Sequence, residues 1–197
     1  MTVAAKTDLF ASSQYLIRKQ IFKLAGAAFH IYTPDGALAF YSKQKAFKLK
    51  EDIRIYTSEA MDTEALHIQA RQILDISAAY DVIDPIAQEK VGTVKRKGLK
   101  SMIQDEWIIM DGADREIGTI SEDSIVLALL RRFVLNLIPQ SYDGVVGGNQ
   151  VCTFKQNFNP FVTKIDVDFS KDTANALDRR LGLAAAVLLC AIEGKQN

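Results

Sequence analysis

The chain has 197 residues, the length of one large domain or two small ones, and 48% are apolar, enough for a substantial core and too many for a disordered segment. Lysine plus arginine and aspartate plus glutamate number 24 each, so no global field draws the protein toward nucleic acid or an anionic membrane. Any such attraction must be local, and no nucleic-acid partner is expected.

Residues 1–13 carry one lysine, Lys6, and no apolar core of signal length, and they read as a loose lead-in to a single domain over 14–197. From Tyr15 to Glu122 apolar residues recur at every second position in short runs separated by turn residues, the period of half-buried strands. Phe29 and Ile31 face one way and His30 and Tyr32 the other; Pro34-Asp35-Gly36 then turns the chain into a run with Leu38, Phe40 and Tyr41. Further strands are expected around Ile53 to Tyr56, Leu66 to Arg71, Tyr80 to Val82, Val91 to Arg96, Met102 to Met110 and Glu116 to Ile120. Ser124 to Leu137 changes to helical spacing, and a helix is expected there, ending before Pro139. Strand alternation returns at Val151 to Gln156 and at Phe161 to Phe169, where Asp166 and Asp168 fall on the polar face.

The last element, Thr173 to Glu193, is expected to be a helix capped by Ser170 or Asp172 and stopped by Gly194. From Leu181 to Ile192 it carries no polar side chain, so it is apolar all round and must be enclosed. Those 12 residues span roughly 18 Å, whereas a hydrocarbon core of about 30 Å needs about 20 residues. The helix is therefore assigned to the protein core. A closed antiparallel β-barrel, wrapped around a central C-terminal helix about 10 Å across, satisfies both patterns, and around ten strand-like runs are available to close it. Cys152 and Cys190 lie in apolar surroundings and read as free thiols of a reduced, cytoplasmic chain.

The order of elements resembles the superfamily that joins the tubby C-terminal domain, the LURP-one-related proteins and the phospholipid scramblases. The residues that carry the likeness are Tyr15 to Gln20, the strand, Asp-Gly turn, strand units at Phe29 to Tyr41 and Trp107 to Ile120, Val91 to Lys97, Ile117 to Ile120, and the helix Leu177 to Glu193. The resemblance implies a twelve-stranded barrel around a hydrophobic helix. Tubby domains bind phosphatidylinositol bisphosphate through a Gly-Lys-Leu-Arg strand. The similar stretch here is Gly92-Thr93-Val94-Lys95, with Lys95 in the place of the arginine and Thr93 where a lysine is expected.

Lys95, Arg96, Lys97 and Lys100 place four cations within six residues and could bind a phosphate headgroup or polyanion; the plain alternative is a solvated hairpin tip that protects a sheet edge. Asp166 and Asp168 do not open an EF-hand loop, because Lys171 and Leu177 stand where that loop needs glycine and a carboxylate. Two solvated carboxylates are the simpler reading, although the resemblance to scramblases raises calcium. His30 and His67 read as surface residues, and Arg179 and Arg180 as long stems reaching out of one barrel end. No nucleophile, metal or phosphate-loop motif is present, so no enzyme and no cofactor is expected. The expectation is a non-enzymatic, cytoplasmic module, able to sit at a membrane surface, that binds a phospholipid headgroup; the alternative is a signalling adaptor with protein partners, and scramblase-like activity stands behind both.

Overall fold

Twelve strands run in sequence order around a closed wall, each antiparallel to its neighbours, in a computed structural model that describes residues 9–22, 26–44, 52–71, 78–97, 106–122, 140–157 and 163–193. The strands are β1 (Gln14–Phe22), β2 (Gly26–Tyr32), β3 (Leu38–Gln44), β4 (Asp52–Tyr56), β5 (Glu64–Ala70), β6 (Ala79–Asp84), β7 (Glu89–Arg96), β8 (Glu106–Asp111), β9 (Glu116–Glu122), β10 (Ser141–Val146), β11 (Asn149–Asn157) and β12 (Thr163–Asp168). Closure comes from β12 pairing with β1, with Ile17 opposite Ile165. The single described helix, α1 (Arg179–Glu193), follows β12. The fold class read from the sequence holds. The helix expected at 124–137 lies outside the described residues.

Strand alternation decides what faces inward. Ile17, Phe29, Ile31, Phe40, Ile53, Ile55, Leu66 and Ile68 point into the barrel and meet Leu183 to Ala191 of α1, all of them buried. Because α1 is apolar on every side, it can exchange water for side chains on every side. The helix touches opposite parts of the wall, β12 and β1 on one side and β5, β6 and β7 on the other. Two glycines set how closely it can sit. A Cβ at Gly182 would lie 2.5 Å from the Phe169 ring, and one at Gly92 would collide with the Met110 carbonyl and the Leu181 side chain. Neither position has room for a methyl group.

The helix begins later than its sequence indicates. Asp172, offered as a cap, instead closes a loop: its carboxylate accepts the N–H groups of Ala176 at 2.7 Å and Leu177 at 3.0 Å. The true cap is Asp178, which accepts the Arg180 N–H on its carboxylate at 2.9 Å, while its carbonyl takes the N–H of Gly182 at 3.0 Å. The turn at 173–177 includes Asn175 at φ 50°, which helical geometry forbids. Composition alone does not separate two aspartates six residues apart, and only the loop's own hydrogen bonds choose between them.

The two ends of the barrel differ. Around the start of α1, Phe10 stacks on Phe40 with ring centroids 4.8 Å apart, and Tyr15, Phe169 and Leu177 complete an apolar plug. At the other end the inward side chains turn polar: Lys19, Ser42, Gln44 and Glu122 are all buried there. Beside the end of α1 a cavity of about 10 Å³, lined by residues including Tyr142, Gln156 and Thr163, has room for a single water.

Candidate ligand-binding surface

With α1 filling the barrel, a ligand of any size meets the protein on the outside or at a rim. The sequence places its basic cluster at the end of β7, whose pleat separates the residues that the sequence groups. Gly92 and Val94 face inward, and Arg96 shares their side, its guanidinium carbon 5.9 Å from the centroid of the inward Trp107 ring. Lys95 and Lys97 point outward. Lys97 donates to both carboxylate oxygens of Glu106, at 2.9 and 3.0 Å. Lys95 is half-buried, with Ala79 and Ile108 opposite it on the flanking strands, and among the described residues it makes no ion pair. Lys100 lies outside the described residues. Three cations are thus close along the chain but project to two faces, with Lys95 the outward charge that no carboxylate among the described residues engages.

Two residues before Lys95 stands Thr93. Its side chain is outward yet 0% exposed, because a polar network closes over it. Its hydroxyl lies 2.8 Å from Asp81 Oδ1 and 3.0 Å from Asp114 Oδ1, and accepts from Arg71 Nη2 at 3.0 Å. Arg71 Nε reaches both Asp81 oxygens at 2.8 and 2.9 Å, its Nη2 bonds Asp114, and Lys90 bonds the same Asp114 oxygen at 2.5 Å. The hydrogen bonds from Lys90 and then Arg71 hold the Asp114 carboxyl far below its ordinary value. Burial pushes Asp81 up, but Arg71, Thr93 and Lys90 together hold it below the usual range. Two cations and two carboxylates therefore satisfy one another here. The network ties β6 and β7 to the β8–β9 turn and leaves no unmatched charge for a ligand at Thr93.

The other sequence candidates are also engaged. Asp166 accepts from Asn157 Nδ2 at 2.6 Å, and Asp168 accepts from Gln14 Nε2 at 3.1 Å and from the Ser170 N–H at 2.7 Å. Among the described residues no group of three histidines, cysteines, aspartates or glutamates is placed to hold a metal ion. The histidines are less exposed than their strand positions indicate, because each sits against a carboxylate: His67 Nε2 is 2.7 Å from Asp52 and His30 Nε2 is 3.2 Å from Glu59. Arg179 and Arg180 do not extend into solvent. Arg180 bridges Asp178, Asp84 and Glu89 at 2.6 to 2.8 Å, which pins the start of α1 to the β6–β7 turn. Arg179 lies over the Phe169 ring at 4.8 Å and donates to the Asp172 carbonyl at 3.3 Å. The carboxylates gathered around them outweigh the unfavourable helix dipole that their position implies.

The outer surface of β1 to β4 was not legible as a unit. Arg18, His30, Tyr41 and Tyr56 sit side by side on adjacent strands, in register, with Tyr32 beside them. The signal was present in the alternation, which puts His30, Tyr32 and Tyr41 on polar faces, but the register that aligns them comes from pairing.

A family model described as LURP-one-related matches residues 38–189. The chain belongs to the LURP-one-related family. The matched region runs from the first residue of β3 into the last turns of α1, and so takes in ten of the twelve strands and the closing helix of this LURP-one-related domain. No curated protein and no solved structure matches it. No helix among its described residues is long and apolar enough to cross a membrane.

Proposed function

We propose that this LURP-one-related domain is a non-enzymatic binding module that takes the phosphate of an anionic phospholipid headgroup at the β7 rim. Lys95 is the central cation, with Lys97, Arg96 and Lys100 as its chain neighbours. The observation that carries this reading is the setting of Lys95: an outward charge without an ion pair among the described residues, with the apolar Ala79 and Ile108 opposite it on the two flanking strands. An aliphatic stem on an apolar strip with an unmatched ammonium suits a phosphate at a lipid interface. The filled interior supports an outer site, and the resemblance to tubby domains supports a phosphoinositide as the headgroup. Thr93 argues for a site shifted toward the strand end relative to theirs, since its surroundings are already charge-balanced.

Co-sedimentation with vesicles of phosphatidylcholine alone and of phosphatidylcholine containing an anionic lipid, at low and raised salt, tests this. Binding should require the anionic lipid, weaken with salt and fall on Lys95→Ala; equal recovery with both vesicles sinks the proposal. The Lys97–Glu106 pair favours a second reading, in which the strand end only keeps a hairpin soluble and the domain is an adaptor for proteins. In that case Lys95→Ala leaves vesicle recovery unchanged.

A further inference from the structure

On the wall opposite β7, an unbroken register crosses five strands. Lys164 on β12 pairs with Arg18 on β1, Arg18 with His30 on β2, His30 with Tyr41 on β3, and Tyr41 with Tyr56 on β4. All five side chains lie on the outer face, because the residues flanking them in each strand, Ile17, Ile31, Phe40, Ile55 and Ile165 among them, are inward and buried. The rings form one assembly. The Arg18 guanidinium sits 5.0 Å from the centroid of Tyr32, His30 lies nearly parallel to Tyr32 at 14°, and the His30 and Tyr41 centroids are 5.1 Å apart. Arg18 is exposed and Lys164 half-exposed, and among the described residues neither makes an ion pair. Glu59, bonded to His30, stands toward the other end of the row.

We infer that this row is a binding track for single-stranded nucleic acid, with the phosphates toward Lys164 and Arg18 and the bases against the rings. Three features choose this occupant. Cations without carboxylate partners among the described residues adjoin aromatic and guanidinium planes, the pairing that sequence-tolerant single-strand binders use. The row runs about 19 Å at about 4.8 Å per strand step, the length of a short run of nucleotides. It also bends: five adjacent strands of a twelve-stranded barrel cover four of the twelve steps around the wall, a third of its circumference. A flat bilayer touches a convex wall along one or two strands and cannot meet the whole row, whereas a flexible strand can follow it. The balanced total charge supplies no long-range attraction, so affinity rests on these local contacts and falls with salt only as two phosphate contacts require. The track is independent of the β7 rim, which lies on the other side of the barrel.

The test is fluorescence anisotropy of the full chain with a labelled oligothymidylate about twelve nucleotides long, within the usual site sizes of such proteins. Saturable, salt-sensitive binding is expected, weakened about tenfold or more by the double change Arg18→Ala, Lys164→Ala and by Tyr41→Ala, and by replacing the bases with abasic sites. Lys95→Ala, which should weaken vesicle binding, should leave the oligonucleotide affinity unchanged. Amide spectra of the unaltered protein provide a measurement that does not depend on the variants folding: oligonucleotide should shift the amides of Arg18, His30, Tyr41 and Tyr56. No saturable binding at low salt, binding indifferent to Arg18 and Lys164, shifts confined to other strands, or loss in these variants of vesicle binding alone would each overturn the inference.

Discussion

Inside the barrel, Lys19 Nζ lies 3.0 Å from the carbonyl oxygen of Cys190, with the Ala191 carbonyl at 3.3 Å. Lys19 is 2% exposed and shares the inward face of β1 with Tyr15 and Ile17. A buried cation normally carries a severe desolvation penalty. Here the last carbonyls of α1 have no helical partners among the described residues, and the negative end of the helix dipole meets the ammonium, with the Phe29 ring 5.8 Å away. The lysine thereby satisfies a helix end that sits where water is scarce.

Lys19→Met should therefore lower stability by about 1–3 kcal/mol, the range for hydrogen bonds to a charged group less the relief of no longer burying that charge. The measurement is guanidinium unfolding of both proteins at neutral pH. The same loss should not follow Arg18→Met on the adjacent outward position, where the side chain is exposed.

The network around Thr93 gives the protein an acid limb. Asp81 and Asp114 both titrate lower in the fold than in the unfolded chain, so the unfolded state binds protons first as pH falls. Their contribution is complete above about pH 4, near the ordinary carboxylate value, and is lost progressively below it. Urea midpoints taken from pH 7 to pH 2 should fall over that range. Arg71→Met removes the chief partner of Asp81 and should flatten this part of the profile, with a smaller change at pH 3 than at pH 7.

Both cysteines should be silent in the native protein. Burial pushes the thiols of Cys152 and Cys190 up to about 12, so almost no thiolate exists at pH 8, and both are shielded from solvent. An aromatic disulfide reagent should release no colour from the native protein on the time of mixing and two equivalents after denaturation. Rapid reaction of one thiol in native buffer would show that α1 or β11 opens readily.

The sequence settled the larger decisions here through periodicity. A run such as Phe161 to Phe169 can bury one set of side chains only as a strand, and Leu181 to Ile192 can bury its whole circumference only when enclosed. It also contained the information that divides Lys95 from Arg96, since neighbours in a strand face opposite ways. Grouping them by distance along the chain hid that division, and closeness in sequence is a poor guide to a shared surface in a β protein.

What alternation fixes is which side of the wall a residue occupies, together with the need to enclose an apolar helix, and these follow from local backbone geometry and the cost of exposing hydrocarbon. It does not fix which residue of the next strand lies opposite. Only the tertiary structure placed Arg18, His30, Tyr41 and Tyr56 in one row, brought Asp114 from a distant turn onto Arg71, and set Lys19 under the last carbonyls of α1. Those meetings depend on register and on closure of the wall, which join residues as far apart as Lys19 and Cys190 and leave no trace in any short window of the chain.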